Sequence, residues 1–232
     1  MQRFHRLVST MRPLGLAALL ALGLAAPAAE ATTILVKNAS FETLPSGGLN
    51  FSYVGGPYSV GAIPDWTSPA GSGQWAPNGV FLNPAPDGSV AAYSNDFALT
   101  QDVSVTAIAG VTYTLLADLG YRSDLKNFGA AILMIGGVSH GGVLDIVQNS
   151  KAWFTTSVVY TATAADEGKA IVISLEPNGA GRGQALFDNI RLSDDRVIPV
   201  SPAPEPSTWA MMLGGFGAIG VGLRRRRNRA TA

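Results

Sequence analysis

The feature that most constrains this chain is a side-chain period of two, repeated between short turn signals, with no convincing helical window in its middle. Tyr113, Leu115, Ala117 and Leu119 alternate with Thr112, Thr114, Leu116 and Asp118. Ile171, Ile173 and Leu175 share one face of a second run. In a third, Trp153, Thr155, Ser157 and Val159 alternate with Phe154, Thr156, Val158 and Tyr160. Successive side chains of a strand point to opposite faces, and β-branched residues suit the pleated backbone, so each run reads as a strand. Gly55-Gly56-Pro57, Asp87-Gly88, Gly136-Gly137, Gly141-Gly142 and Asn178-Gly179 supply the turns. Strands are predicted near 33–37, 51–54, 80–82, 89–93, 98–106, 111–120, 128–136, 142–147, 152–163, 169–177 and 184–193. That many strands without a helix predict an all-β domain, two antiparallel sheets packed as a β-sandwich or jelly roll. The stretch from about 55 to 88 is rich in Gly, Pro and Ser with few strand signals. Loops of that length are usually functional or disordered.

Charge is segregated along the chain although the formal total is zero. Residues 32–195 hold seven Lys/Arg against fourteen Asp/Glu, a net charge of −7, while both ends are basic. An acidic body argues against a nucleic-acid partner, because phosphate contacts need clustered Lys and Arg. The chain has no cysteine, which removes disulfides, thiolate metal sites and thiol nucleophiles.

Both ends read as targeting signals. Arg3, Arg6 and Arg12 precede the apolar run Leu14 to Ala26, and Ala29-Glu30-Ala31 offers small residues to a signal peptidase, with cleavage expected after Ala31. At the other end a proline-rich linker, 196–203, leads to Pro204-Glu205-Pro206. An uncharged stretch from Thr208 to Leu223, expected to form a short hydrophobic helix, is then closed by Arg224-Arg225-Arg226-Arg227. Such a basic block stays cytoplasmic and makes the apolar segment a stop-transfer signal. The three-part tail, over 204–229, resembles the PEP-CTERM sorting signal. That resemblance implies processing by an exosortase, transient inner-membrane anchoring through the tail alone, and delivery to the outer surface or matrix of a Gram-negative, exopolysaccharide-making cell. Residues 230–232 end the tail.

The domain between, 32–195, carries Asn38-Ala39-Ser40-Phe41-Glu42 near its start, Trp66 in a loop, and Phe187-Asp188-Asn189-Ile190-Arg191-Leu192 at its close. These landmarks resemble the galactose-binding-like jelly roll of many carbohydrate-binding modules. The resemblance implies a structural Ca²⁺ held by Glu42 and Asp188 with backbone carbonyls, chemistry that suits a hard cation taking six to eight oxygens.

Catalytic patterns fare poorly. Gly137-Val138-Ser139-His140-Gly141 matches GxSxG, but the hydrolase elbow needs a strand-to-helix turn and a distant histidine. Gly215-Phe216-Gly217-Ala218-Ile219-Gly220 matches a dinucleotide fingerprint, yet it lies inside the apolar tail. No motif pairs two acids for glycoside hydrolysis. The candidate ligand surface is Trp66, Trp75, Tyr121 and Arg122, since flat rings stack on sugar CH faces while a guanidinium bonds hydroxyls. Trp153, which opens a strong strand, is expected in the core. The expected function is a non-catalytic surface or matrix protein binding carbohydrate of the exopolysaccharide. The alternative is a structural or adhesion sandwich without a small-molecule site, with a carbohydrate-active enzyme third.

Overall fold

The computed structural model describes residues 31–125, 128–142, 150–178 and 184–196, with Leu213 and Phe216 beyond them. The expected signal peptide, linker and sorting tail lie almost wholly outside the described residues. Among those described, no helix is long and apolar enough to cross a membrane.

Ten strands and one short 3-10 turn, Ala164–Asp166, follow in order: β1 (Thr32–Ile34), β2 (Ser72–Trp75), β3 (Ala91–Ser94), β4 (Leu99–Thr106), β5 (Thr112–Gly120), β6 (Phe128–Ile135), β7 (Val138–Gly142), β8 (Trp153–Thr161), β9 (Ala170–Asn178) and β10 (Ala185–Asp194). They form two antiparallel sheets, the predicted sandwich. One runs β2-β3-β10-β5-β8 with β1 also on β10, and the other runs β4-β9-β6-β7. The β6–β7 hairpin turns on Gly136 and Gly137, both at positive φ (57° and 83°), the conformation a tight two-residue hairpin demands.

Period two sorts each strand's residues between the faces. Leu115, Ala117, Leu119, Phe187 and Leu192 of the larger sheet meet Leu99, Leu133, Ile135, Ile171, Ile173 and Leu175 of the smaller one in the main core. A second cluster sits on the opposite face of the larger sheet: Trp75, Tyr93 and Leu186 with Leu82, packed by Tyr58, Phe81 and Trp153. Register explains it, because Gly73, Tyr93, Leu186, Gly120 and Trp153 form one cross-strand row on that face.

The predicted strands at 51–54 and 80–82 are not strands. Phe51 makes only an isolated bridge to Tyr58, and 80–82 is a bend whose Phe81 and Leu82 cover the outer face. β2 was not anticipated, because Ser72-Gly73-Gln74-Trp75 has no β-branched residue and is a strand only through pairing with β3. The predicted strand 142–147 lies mostly outside the described residues, and β7 falls before it.

Candidate functional site

The segment between β1 and β3 folds over the outer face of the larger sheet instead of leaving as a free loop. Phe51 bridges Tyr58, and Tyr58 bridges Trp75, so a short hairpin extends the sheet past β2. Directly paired residues share a face, which stacks Phe51 on Tyr58 (centroids 5.3 Å apart, 24° between planes). Tyr53 stacks on Phe81 at 5.5 Å. Between this hairpin and the sheet lies a cleft of about 340 Å³, lined by Tyr53, Tyr58, Val60, Gly71, Trp75, Tyr93, Asn95, Arg122 and Gln184. That volume suits a small ligand.

Arg122 organises the polar side of the cleft. Its Nε and Nη2 donate to Asp124 at 2.9 and 2.6 Å, and Nη1 donates to Gln184 Oε1 at 2.5 Å. Three of about five guanidinium N–H donors are thereby committed. Its hydrogen bond holds the Asp124 carboxyl below the usual range. Gln184 donates in turn to Asn95. The guanidinium lies 5.0 Å from the Trp75 ring centroid and 5.5 Å from Phe81, within cation–π range. Tyr93 donates its hydroxyl to the Ser59 carbonyl at 2.7 Å, and burial, with the neighbouring Tyr58, pushes its phenol up to about 12.

Of the predicted ligand residues, the structure brings Trp75 and Arg122 to the cleft and leaves Trp66 and Tyr121 out of its lining. Trp66 belongs to the main core: it is 6% exposed, packs on Phe41 at 5.3 Å and donates its indole N–H to the Asn38 carbonyl. Tyr121 is buried edge-on against Phe154, and that burial raises its phenol to about 12. Trp75 is itself 3% exposed, with Arg122 over its ring, so it is a floor and not an open platform. The accessible rings are those of Tyr53, 46% exposed, and Tyr58, which is partly buried. Sequence reading missed both, although the aromatic alternation Phe51-Ser52-Tyr53 beside a Gly-Gly-Pro turn was a usable signal. Trp153, placed in the core by its strand, packs against the outer cluster and donates to the Asn83 carbonyl. Ser139 and His140 are neighbours on β7 and so point to opposite faces, with His140 stacked on Tyr160 at 3.5 Å.

Glu42 and Asp188 arrive at one turn from the two ends of the domain. Glu42 Oε1 accepts the N–H groups of Ser89 and Val90 at 2.6 and 2.7 Å, and Asp188 Oδ2 accepts that of Asp87 at 2.9 Å. Asp188 is fully buried and its Oδ1 has no hydrogen-bond partner. Burial, aided by Asp87 and by Asp118 directly opposite on β5, lifts its carboxyl to about 7 against the backbone N–H groups that lower it. Among the described residues no three acidic or histidine side chains converge. The unpartnered, buried Asp188 Oδ1 is the one observation at this turn that suits a cation, and an oxygen donor suits a hard one.

An all-β sandwich of two antiparallel sheets, with an aromatic cleft on one of them, places the domain among the jelly rolls. Within that class the chain belongs to the HpiC1-like family, whose description is HpiC1 cyclase and whose pattern matches residues 32–193. A PEP-CTERM protein-sorting motif matches residues 202–227, which marks the protein as exported and processed by an exosortase at the membrane. No curated protein matches the sequence. Among solved structures, the Stig cyclase Fisc from Fischerella sp. TAU shares 22% identity at a TM-score of 0.59, covering 71% of this chain and 98% of that one. Another cyclase from Fischerella sp. TAU shares 22% at 0.60, covering 74% and 100%. The CBM22-1 xylan-binding domain of Paenibacillus barcinonensis Xyn10C shares 10% at 0.46, covering 72% and 97%. The expectation of a non-catalytic protein thus meets a family described by a cyclase.

Proposed function

We propose that this is a non-catalytic component of the outer surface or matrix whose cleft binds carbohydrate of the exopolysaccharide. The cleft's composition carries the reading. Tyr53 and Tyr58 offer ring faces, while Asn95, Gln184 and Arg122 offer the amide and guanidinium groups that bond hydroxyls. Phenols, amides and a guanidinium are poor proton donors at neutral pH, and the phenol of Tyr93 stands at about 12. Among the described residues the one carboxyl lifted to about 7, Asp188, is fully buried and does not line the cleft. Calorimetric titration of the exported protein with exopolysaccharide fragments tests this. Tyr53→Ala and Tyr58→Ala should each weaken binding by roughly tenfold or more, the cost of about 1.4 kcal/mol of lost stacking. Saccharide affinity indifferent to both substitutions would end the proposal.

Family membership favours a second reading, a cyclase acting on an indole-bearing substrate. A Fischerella relative is described in complex with 4-(1H-indol-3-yl)butan-2-one. Titration with that compound separates the two: indole binding that depends on Tyr53 and Tyr58, without saccharide binding, selects the cyclase.

We further propose that Glu42 and Asp188 hold a structural Ca²⁺, which would neutralise the buried carboxylate and tie the first loop to the last strand. Binding to the folded state alone adds stability. Chelation should lower the melting temperature of the wild type and leave that of Asp188→Asn unmoved. An unchanged wild-type midpoint refutes the site.

A further inference from the structure

Resting on the carbohydrate reading of the cleft, we propose that it admits uncharged saccharides and turns away acidic ones, with Asp124 setting the preference. Among the described residues that line the cleft, Arg122 is the one that carries a charge. An acidic sugar entering there would need that guanidinium, because a carboxylate taken out of water is costly unless a cation meets it. Asp124 already holds it. Its two oxygens accept from Nε and Nη2 side by side, at 2.9 and 2.6 Å, the paired geometry of the strong arginine–carboxylate contacts. The two side chains are only 11% and 27% exposed, so salt screens the pair weakly. The same bond keeps the Asp124 carboxyl below its usual range, so it stays ionised at neutral pH.

The other described residues of the lining are phenols, amides, an indole, a valine and a glycine, all of them uncharged at neutral pH. At the rim the exposed Asp96 carboxylate lies beside Gly71, 4.0 Å from where a Cβ would stand. The body carries −7 over residues 32–195, so a polyanion also meets repulsion on approach. A neutral sugar meets none of these costs. Its hydroxyl oxygens can accept from the roughly two guanidinium N–H groups left after three are committed. The guanidinium is fixed for that task, with Gln184 on Nη1 and the Trp75 ring centroid 5.0 Å away. The rings of Tyr53 and Tyr58 stack on CH faces whatever the charge of the sugar.

Calorimetric titration of the exported protein tests the preference, using exopolysaccharide fragments in two forms that differ only at C6, hydroxymethyl or carboxylate. The hydroxymethyl form should bind the wild type at least tenfold more tightly. Asp124→Asn frees the guanidinium charge while keeping the shape of the side chain, and should raise affinity for the carboxylate form tenfold or more. That gain should fade with added salt, because it rests on a charge pair. Asp124→Glu, which keeps the charge, should retain the wild-type preference, and melting temperatures show whether each variant is folded. Two outcomes overturn the proposal and leave the carbohydrate reading standing: a wild type that binds both forms equally, and a preference that a folded Asp124→Asn does not alter. A wild type that binds neither form overturns the carbohydrate reading, and the selectivity with it.

Discussion

Gly88 stands at φ +85° in the turn that receives both terminal carboxylates, and a Cβ there would run into the Glu42 carboxyl group. An L-residue pays for the left-handed conformation and for the displaced carboxylate together. Gly88→Ala should therefore cost about 1–3 kcal/mol, read in a denaturant titration. Because Glu42 would lose its grip on Ser89 and Val90, the substitution should also abolish any stabilisation by Ca²⁺. Asp166 gives a pH signature at the same scale. Its carboxyl accepts the Thr163 hydroxyl at 2.6 Å, the Thr163 N–H at 2.8 Å and the Tyr160 hydroxyl at 2.7 Å, with Lys169 at 3.8 Å. These bonds lower it from 3.8 to about 2. A depressed carboxyl stabilises the fold above its unfolded value and loses that contribution as pH falls through the folded one. Thermal melts should therefore show stability declining between about pH 4 and pH 2, less steeply in Asp166→Asn.

At the scale of elements, the segment between β1 and β3 turns a two-faced sheet into a site. Trp75 anchors it from below: buried, under Arg122, with the Tyr58 strand paired beside it. Trp75→Ala should cost about 3–5 kcal/mol, as truncating a buried aromatic does, and should weaken ligand binding only through that collapse. Tyr53→Ala should do the reverse, keeping the melting temperature and losing affinity; equal destabilisation by both would mean that the exposed hairpin is structural. The contrast also shows what the sequence could reveal. Strands β5, β8 and β9 were legible because each carries its own alternation, and with β4, β6 and β10, also expected, they led to the sandwich. β2 and the hairpin at 51–58 were not, because their conformation is imposed by pairing with β3 and with each other. Trp66 and Trp75 share a glycine-rich stretch, and no local signal separates the one that enters the main core from the one beneath the cleft.

The whole molecule divides its charge by task. The folded body carries −7 over residues 32–195, and the basic residues cluster at both ends. The sorting motif over residues 202–227 includes Pro204, Glu205 and Pro206 as well as the arginines at 224–227. An arginine block beyond an apolar stretch is costly to move across a membrane, so it is expected to hold the tail at the cytoplasmic side while the acidic body is exported. Exosortase processing is expected to remove this basic segment from the body. The mature protein is therefore expected to begin at Thr32 and to lack Arg224 to Arg229. Intact mass of the protein recovered outside the cell reads both ends at once. Replacing Arg224 to Arg227 with serine should let the tail slip through the membrane, so that chains still carrying it accumulate outside the cell. A wild-type protein that ends at Ala232 in a host carrying exosortase would show that the motif is present but not processed, and that the body stays tethered through its tail.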